Sequence, residues 1–566
     1  MGAKIKGSEI LLKALTGQKV DTIFAYPGGN IISVFDVMMD YRDKINQILV
    51  RHEQGAAHAA EGYARVSGRV GVAIVTSGPG VTNTITGIAD AMLDSTPIVV
   101  IAGQAASTAL GTDAFQEVDL VGITQPITKW SYQIRRTEDI TMAVAKAFYI
   151  ASTGRPGPVV LDFTKDAQAG LAEYKPYSID YIRSYIPKTD VSPASIEQAA
   201  ELIDNCRKPL VLVGQGVELA GAQQELQDFI EKGNLPAART LLGLSALSSD
   251  HPLNMGMLGL HGNAAPNILT NQADLIIAVG MRFDDRVTGV VANYAKKAKI
   301  IHLDIDKSEI GKIVPCDVPI LGDCKESLPM LTARIKKNSH ADWIKEFAPL
   351  AQKEKELVID KAIAPASGPI KMGETVHQVA LQAPDNTVMV TDVGLNQMFA
   401  VRYFKYRSRR SIVSSGGLGT MGFAIPAAIG AATGAPERPV IMFAGDGGIQ
   451  MTMQEFGTIM EYHIPVKMVV MNNHYLGNVR QWQHLMFNDR YSLTHMLSPV
   501  YQDIAAAYGF DYMRIEKRQD LEAGVKAMLA AKGPFFLEVV VEDEENVWPM
   551  IRPGSDVDQV YYGPQD

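Results

Sequence analysis

Two apolar runs that each end in a polar turn constrain the fold of this chain more than any other feature. Val440–Ala444 and Val466–Met471 predict two buried parallel strands. A helical stretch separates them, so the segment predicts a βαβ unit. The first run leads into Gly445–Gly447 and the second into Asn472 and Asn473. Because ligands bind outside the carboxyl ends of parallel strands, we expect these turns to form one site.

The polar groups in these turns suit Mg²⁺ that carries a diphosphate. Asp446 supplies a carboxylate, Asn473 an amide oxygen, and a nearby backbone carbonyl, which we assign to Tyr475, completes a set of hard oxygen ligands. Glycine lets the backbone approach a diphosphate closely. We therefore assign cofactor binding to Gly445 and Gly447. We assign it also to Asn472, which follows the second apolar run. The spacing resembles the thiamine diphosphate (ThDP) signature; the alternative is a chance pair of unrelated turns.

Length and composition indicate a large α/β protein. The chain has 566 residues, too many for one core, and predicts three to four domains. Its 49 glycines and 47% hydrophobic residues suit a protein rich in strand–helix turns. The net charge of −9 argues against nucleic acid as a partner. The three cysteines form no disulfide framework, and no apolar run or secretory signal indicates a membrane. We expect a cytoplasmic protein.

Alternating strand and helix patterns predict three doubly wound parallel-sheet domains. The predicted domains cover residues 4–170, 190–335 and 370–545, followed by a C-terminal tail at 546–566. The predicted strands of the first two are Thr22–Ala25, Val70–Val75, Ile98–Ala102, Val159–Phe163, Pro209–Val213, Leu275–Val279 and Ile300–Asp304. Helices are predicted at Glu53–Arg65 and Thr82–Leu93, and a linker at Tyr174–Ser192. Lys336–Pro369 is predicted to be helical at first and to end in a second linker, the loop AIAPASGP at 362–369. For the tail, composition leaves order and disorder equally open.

Glu53 stands at the start of a helical segment rich in glycine and alanine, RHEQGAAHAAEGYAR. The simplest interpretation is an ordinary acidic residue at a helix N-terminus. A ThDP site in the same chain changes that interpretation, because thiamine chemistry needs a carboxylate on the aminopyrimidine ring. That glutamate usually lies in a different domain from the diphosphate site, which fits the order of the blocks here.

Motifs in all three blocks resemble the large catalytic subunit of the acetohydroxyacid synthase (acetolactate synthase) family, of the FAD-containing biosynthetic type. They are AYPGG at 25–29, RHEQGAAHAAEGYAR at 51–65, TSGPGVTN at 76–83, DAFQEVD at 113–119, GRPGPV at 154–159, MLGLHG at 257–262, RFDDRVTG at 282–289, GLGTMGFAIPAAIGA at 417–431 and LGNVRQWQ at 476–483. The resemblance implies pyrimidine-binding, FAD-binding and diphosphate-binding domains, with ThDP, Mg²⁺ and FAD as cofactors.

The resemblance also assigns the remaining site residues. It implies that Met421 wedges ThDP into a bent shape and that the Gly419 backbone accepts from its amino group. The implied catalytic residues are Glu53, Gln116 and Lys165. The implied FAD contacts are Arg155, His261, Arg282, Asp304 and Asp323. The implied substrate residues are Phe115, Arg282 and Trp482. Without the resemblance, the charges of the middle block are equally consistent with surface loops.

The implied activity decarboxylates pyruvate on ThDP and transfers the two-carbon unit to a second pyruvate or to 2-ketobutyrate. The products, 2-acetolactate or 2-aceto-2-hydroxybutyrate, lead to valine, leucine and isoleucine. Arg282 would bind the acceptor carboxylate, and Trp482 would favour 2-ketobutyrate. The family further implies a homodimer or homotetramer with the active site between chains, and a regulatory small subunit.

Four positions depart from the family pattern: Leu395, Asn396, Gly448 and Asn478 stand where Gln, His, Ser and Met are common. Other ThDP enzymes remain as alternatives, namely catabolic acetolactate synthase, glyoxylate carboligase and pyruvate oxidase. The first lacks the RFDDR motif and the second lacks the glutamate found here as Glu53. A nicotinamide dehydrogenase built on GQG at 214–216 is disfavoured by Leu219, where the fingerprint needs glycine. A non-catalytic relative would be expected to lose Glu53, Asp446 or Asn473.

Overall fold

Three six-stranded parallel sheets organise the chain, which a computed structural model describes over residues 3–564. Helices flank each sheet, so the predicted α/β class with doubly wound sheets is confirmed. Two short antiparallel pairs accompany them in the described residues, Lys4–Lys6 with Leu171–Glu173 and Met550–Ile551 with Val560–Tyr561. No helix in residues 3–564 is long and apolar enough to cross a membrane.

The first sheet is built from residues 22–164. Its strands, in spatial order, are Asn46–Leu49, Thr22–Ala25, Gly71–Val75, Ile98–Gln104, Val159–Thr164 and Trp130–Ile134. The accompanying α-helices are Gly7–Gly17, Ile32–Met38, Glu53–Ser67, Pro79–Thr82, Ile85–Leu93, Leu120–Thr124, Ile140–Ser152 and Lys165–Ala169. The predicted helix Thr82–Leu93 is wrong at its start, because Pro79–Thr82 forms a separate short helix after Gly78, which has a φ of +59°.

The third sheet repeats the strand order of the first. Its strands, in spatial order, are Ile412–Ser414, Val388–Thr391, Val440–Gly445, Lys467–Asn472, Phe535–Val540 and Asp511–Ile515. Its α-helices are Met372–Gln382, Leu395–Tyr403, Ala424–Gly434, Asp446–Met451, Phe456–Tyr462, Gly477–Phe487, Tyr501–Ala507 and Leu521–Ala530. The strand order reverses between Val388–Thr391 and Val440–Gly445, which opens a crevice at their carboxyl ends.

The middle sheet has a different strand order. Its strands, in spatial order, are Asn254–Met257, Ala237–Arg239, Pro209–Val213, Leu275–Val279, Lys299–Asp304 and Val318–Leu321. Counted along the chain this order is 3-2-1-4-5-6, the order of dinucleotide-binding sheets. The α-helices are Pro193–Asn205, Gly216–Ala220, Gln223–Gly233, Ala264–Thr270, Asp285–Thr288 and Cys324–Arg334. Its crevice lies beyond Pro209–Val213 and Leu275–Val279.

The segment after the middle sheet is helical at first, as the sequence predicts. Residues 341–363 form an α-helix, a π-helical turn and a short helix, Ala341–Glu354, Lys355–Ile359 and Asp360–Ile363. Trp343 is buried against the middle sheet and donates to the carbonyl oxygen of Pro209 at 2.7 Å. The described part of the tail contacts the middle block, because the amide of Ile551 donates to the carbonyl oxygen of Leu260 at 2.8 Å.

The first and third sheets share one hydrophobic core through two helices, Glu53–Ser67 and Ala424–Gly434. A Cβ atom placed on Gly62 would lie 2.0 Å from the carbonyl oxygen of Ala427, and one on Gly430 would lie 1.8 Å from that of Ala59. Only glycine permits such a close approach at these two positions. The small residues after Glu53 therefore serve helix packing.

Candidate active site

Asp446 lies at the switch point of the third sheet, immediately after the strand Val440–Gly445. Its side chain is fully buried, and Oδ2 accepts a hydrogen bond from the Ser498 hydroxyl at 3.1 Å. Oδ1 has no hydrogen-bond partner within residues 3–564. Burial raises the pKa of Asp446 to about 6, because it penalises the charged form. A buried carboxylate with an unpaired oxygen suits a cation.

The next strand ends beside Asp446. Asn472 is the last residue of the strand Lys467–Asn472, and its Oδ1 accepts from the same Ser498 hydroxyl at 3.2 Å. Its Nδ2 donates to Glu538 at 2.9 Å, which fixes the orientation of the amide. The Oδ1 of Asn473 accepts from the amide of Tyr475 at 3.4 Å. The structure thus places the three predicted metal ligands on two adjacent strand ends.

The glycine positions beside these oxygens lie close to neighbouring side chains of the same crevice. A Cβ atom on Gly447 would lie 2.6 Å from Leu476 and 3.8 Å from the Met421 methyl group, and one on Gly445 would lie 3.3 Å from Nδ2 of Asn396. Oδ1 of Asn396 is buried without a partner among the described residues. Hard oxygen acceptors and glycine backbone in one crevice fit a magnesium–diphosphate group.

Asp392 organises the loop that carries Gly419 and Met421, and sequence reasoning missed it. This buried carboxylate accepts from the amide of Gly422 at 2.9 Å and from that of Ala424 at 3.2 Å. A Cβ atom on Gly448 would lie 2.1 Å from Oδ1 of Asp392, so the departure to glycine at 448 leaves space for this carboxylate. The signal was available, because Asp392 follows the strand Val388–Thr391 as Asp446 follows its own strand.

Glu53 is the first residue of the helix Glu53–Ser67. Its Oε2 accepts from Nδ2 of Asn83 at 2.9 Å, and a Cβ atom on Gly80 would lie 3.4 Å from Oε1. Glu455, from the third sheet's segment, accepts from the amide of His52 at 2.9 Å. The position of Glu53 therefore depends on both the first and the third sheet.

The other predicted residues of the first block are less enclosed. Gln116 has a φ of +61° and packs against Gly78, where an added Cβ would lie 2.9 Å from its Cα. Phe115 beside it is 86% exposed, and Lys165 is exposed at the start of the helix Lys165–Ala169. The structure brings Gln116 to the loop that contacts Glu53 and leaves Phe115 and Lys165 at the surface of a single chain.

A cavity of about 790 Å³ lies at the carboxyl edge of the middle sheet. It gathers all five residues assigned to FAD and also reaches Gly419 and the wall formed by Asn478 and Trp482. The predicted residues that line it are Arg155, His261, Arg282, Asp304, Asp323, Gly419 and Trp482. Arg286 lines it too and was not singled out from the sequence. The volume suits a large cofactor.

The polar groups of this cavity are mixed in charge. The guanidinium of Arg155 contacts Glu309 at 2.7 Å, and Arg282 lies 3.8 Å from Asp284. Burial raises the pKa of Asp304 to about 6. Burial and the nearby Arg402 lower the pKa of His261 to about 3, and its Nε2 has no partner among residues 3–564. Carboxylates at strand ends can accept ribose hydroxyl groups, so the donor set fits a dinucleotide.

The glycines of GQG at 214–216 have a packing role. A Cβ atom on Gly216 would lie 2.6 Å from Cα of Gly280, so the two strand-end turns touch through glycine. Loop 416–419 joins this cavity to the crevice of the third sheet: a Cβ on Gly417 would lie 3.3 Å from Nη2 of Arg282. The two sites therefore share one loop.

Comparisons with known proteins agree with this geometry. Three family models match: the N-terminal TPP binding domain of thiamine pyrophosphate enzymes at residues 5–123, their central domain at 196–331 and their C-terminal TPP binding domain at 392–539. An acetolactate synthase large subunit of Lactococcus lactis is 42% identical over 560 residues, covering 98% of this chain and 96% of that protein.

Two further relatives extend the similarity to other organisms. A probable acetolactate synthase large subunit of Methanocaldococcus jannaschii is 42% identical, covering 97% of this chain and 94% of that protein. The acetolactate synthase isozyme 2 large subunit of Escherichia coli is 40% identical, covering 97% of this chain and 98% of that protein. The similarity therefore includes all three sheets.

Proposed function

Because this chain belongs to the acetolactate synthase large-subunit family of thiamine diphosphate enzymes, we propose that it joins two 2-keto acids with loss of CO₂. Pyruvate is the donor, and pyruvate or 2-ketobutyrate is the acceptor. The products are 2-acetolactate and 2-aceto-2-hydroxybutyrate, which place the reaction at the first common step of branched-chain amino acid synthesis. The alternatives raised by the sequence are not favoured, because the named relatives are acetolactate synthase large subunits.

The observation that carries the proposal is the unpaired, buried Oδ1 of Asp446 at the switch point of the third sheet. This carboxylate, the amide of Asn473 and the carbonyl of Tyr475 would hold Mg²⁺ and the diphosphate. Gly445, Gly447 and Asn472 would contact the diphosphate. When bound, ThDP supplies the electron sink for decarboxylation and carbon–carbon bond formation.

The protein's own groups do the positioning and the proton transfer. Glu53 would exchange a proton with the aminopyrimidine ring, helped by the amide of Asn83, which holds one carboxylate oxygen. The Gly419 carbonyl would accept from the exocyclic amino group, and Met421 would support the bent shape of the cofactor. Gln116 and Lys165 would contact the reacting groups once a second chain encloses them.

We assign the cavity of the middle sheet to FAD. Arg155, His261, Arg282, Asp304 and Asp323 line it, and its sheet has the strand order of dinucleotide-binding folds. The same cavity reaches Trp482, which would bury the extra methyl group of 2-ketobutyrate. Arg282 would bind the acceptor carboxylate, with Arg286 as the second arginine within reach of this space. In this assignment, residues 4–170 form the pyrimidine-binding domain, residues 190–335 the FAD-binding domain and residues 370–545 the diphosphate-binding domain.

A homodimer, or a tetramer built from it, would complete the active site. Phe115 is 86% exposed, and Leu493 and Leu497 near the metal site are 95% and 86% exposed. Large apolar side chains at this level of exposure favour burial against another chain. We further propose a cytoplasmic location, which fits three unpaired cysteines, and a regulatory small subunit, which fits the large-subunit names of the relatives.

The test uses the purified full chain with pyruvate, Mg²⁺, ThDP and FAD, with and without 2-ketobutyrate. Mass spectrometry of the products should detect acetolactate alone in the first case and both products in the second. A yellow protein with a flavin absorption band should result from purification or reconstitution. Oxidation of pyruvate to acetate without a carbon–carbon product would contradict the proposed reaction.

A further inference from the structure

A fully buried ion pair lies behind one wall of the flavin cavity. Nη2 of Arg402 contacts Oε1 of Glu354 at 2.6 Å, and both side chains are only 2% exposed. Arg402 comes from the helix Leu395–Tyr403 of the third sheet, and Glu354 comes from the helix Ala341–Glu354. Removing two charges from water is costly unless further hydrogen bonds satisfy them. The groups that form hydrogen bonds with this pair therefore identify the segment of the chain that it positions.

Those contacts converge on the loop that forms the cavity wall. Nη1 of Arg402 donates to the carbonyl oxygens of His261 and Gly262, at 2.8 and 2.9 Å. Glu354 accepts from the side-chain amide of Asn263 at 2.9 Å and from the backbone amide of Ala264 at 2.7 Å. The pair thus fixes four consecutive residues, 261–264, from two other helices.

His261, the first residue of the held loop, presents its side chain to the cavity. His261 lines the cavity and has a buried Nε2 without a partner within the described chain. Its ring centroid lies 6.4 Å from that of Trp482, the residue proposed to form the acceptor wall. A shift of the 261–264 backbone would therefore move His261 against Trp482 and change the width of the acceptor space.

The helix of Arg402 also reaches the other cofactor site. Its first turn carries Asn396, whose Nδ2 would lie 3.3 Å from a Cβ atom on Gly445 in the metal crevice. Gln397 and Met398 of the same helix line the flavin cavity. One short helix therefore connects the diphosphate crevice at its start with the flavin loop at its end.

We propose that Arg402 and Glu354 are positioning residues that set acceptor selectivity and flavin affinity by fixing the loop 261–264, without contacting substrate. The inference rests on the proposed function for the identity of the acceptor. Arginine is required because one rigid guanidinium serves the carboxylate and two carbonyl oxygens at once. A lysine would keep the positive charge but, without the planar guanidinium, would lose some of these hydrogen bonds.

The experiment compares Arg402→Lys with the double variant Arg402→Met/Glu354→Gln, which leaves no unpaired charge in the interior. Arg407→Lys is the matched control, because Arg407 forms ion pairs with Asp250 and Asp385 at the surface, just beyond the same helix. Three quantities are measured: the product ratio at equal pyruvate and 2-ketobutyrate, the flavin dissociation constant, and amide exchange of residues 261–264.

Both Arg402 variants should bind flavin about tenfold more weakly, the scale of losing an outer contact that orients a binding group. They should also shift the product ratio towards acetolactate, while kcat for acetolactate from pyruvate alone stays close to that of the parent protein. Amides of the loop should exchange faster, and those of the middle sheet should not. Arg407→Lys should change none of these quantities.

A folded Arg402→Lys protein with unchanged product ratio, flavin affinity and loop exchange would overturn the proposal. If the lysine variant failed to fold, the double variant would decide by the same criteria. Failure of the parent protein to form either product would contradict the proposed function instead. Loop exchange and flavin titration would then still decide whether Arg402 positions the cavity wall.

Discussion

The cavity assigned to FAD and the proposed thiamine site differ in how their assigned residues are grouped within one chain. All five residues assigned to FAD line one cavity of about 790 Å³. The residues assigned to ThDP fall into two groups, Asp446 and its neighbours in a strand-end crevice and Glu53 with Gln116 beside the loop 76–80. Phe115, assigned to the substrate, is 86% exposed.

This difference has a consequence for assembly. A cavity lined by residues of one chain can bind its cofactor in the monomer, and its affinity need not depend on protein concentration. A site split into two halves becomes functional only when a second chain supplies the missing half. We therefore expect flavin binding to survive changes that abolish the reaction at the thiamine site.

Glu53→Gln should cause the largest loss. The amide keeps the shape of the side chain but cannot exchange a proton with the aminopyrimidine ring, so the rate should fall roughly 10²–10⁴-fold. H/D exchange at the reactive carbon of bound ThDP, followed by NMR, measures the step directly. Flavin affinity should be unchanged, and the exposed Glu138→Gln is the control. An exchange rate equal to that of the parent protein would remove Glu53 from this role.

Asp446→Ala should act on the other half of the site. Asp446 is the only anionic residue assigned to Mg²⁺, so its loss should weaken Mg²⁺-dependent ThDP binding by more than about 100-fold. This exceeds the effect of losing a residue that only hydrogen-bonds to a metal ligand. Titration of ThDP at fixed Mg²⁺ measures this, and excess of both should restore part of the activity. Asp511→Ala, at an exposed position of the same sheet, is the control. Unchanged ThDP affinity would contradict the assignment.

The two sites also differ in how far the sequence reveals them. Asp446 and Asn473 follow apolar runs, so their strand-end location was predictable from pattern alone. Arg402 and Glu354 gave no such signal, because their role depends on two helices meeting at the loop 261–264. The fold class was likewise predictable from alternating strands and helices, and the helix break after Gly78 was not. Contacts between segments distant in sequence leave no periodic pattern, so the sequence does not reveal them.

Trp482→Leu should change selectivity more than rate. Trp482 lines the flavin cavity near the shared loop 416–419, so a smaller side chain should lose contact with the extra methyl group of 2-ketobutyrate. One methylene in such a pocket is worth about 1–3 kcal/mol, so the preference for 2-ketobutyrate should fall roughly tenfold or more. Competition at equal substrate concentrations measures it, with Phe487→Leu, 60% exposed on the same helix, as control. An unchanged ratio would place the selectivity elsewhere.

A smaller effect concerns the contact between the first and third sheets. Asp90 accepts from the hydroxyl of Ser415, immediately before the shared loop 416–419, at 2.9 Å. Burial, followed by the nearby Glu61 and Asp94, raises the pKa of Asp90 from 3.8 to about 8. The folded state therefore retains a proton that the unfolded state releases, and the free energy of unfolding should fall as pH rises from about 4 to about 8.

Asp90→Asn should remove this contribution, which amounts to at most about 1.4 kcal/mol per pH unit. Denaturant unfolding at pH 5, 6, 7 and 8 should give a flatter dependence for the variant than for the parent protein. Asp520→Asn, at an exposed position, is the control. Parallel curves for Asp90→Asn and the parent protein would show that Asp90 is not the titrating group.

Complementation tests most directly whether the thiamine site takes residues from two chains. Glu53→Gln and Asp446→Ala proteins, each inactive alone, are mixed so that subunits exchange, and mixed dimers are verified by native mass spectrometry. Random exchange of equal amounts makes half of the dimers mixed. If each site takes Glu53 from one chain and Asp446 from the other, each mixed dimer contains one intact site and one that lacks both residues. Activity should then return to about one quarter of that of the parent protein. Mixed dimers without any gain in activity would place both residues of each site in the same chain.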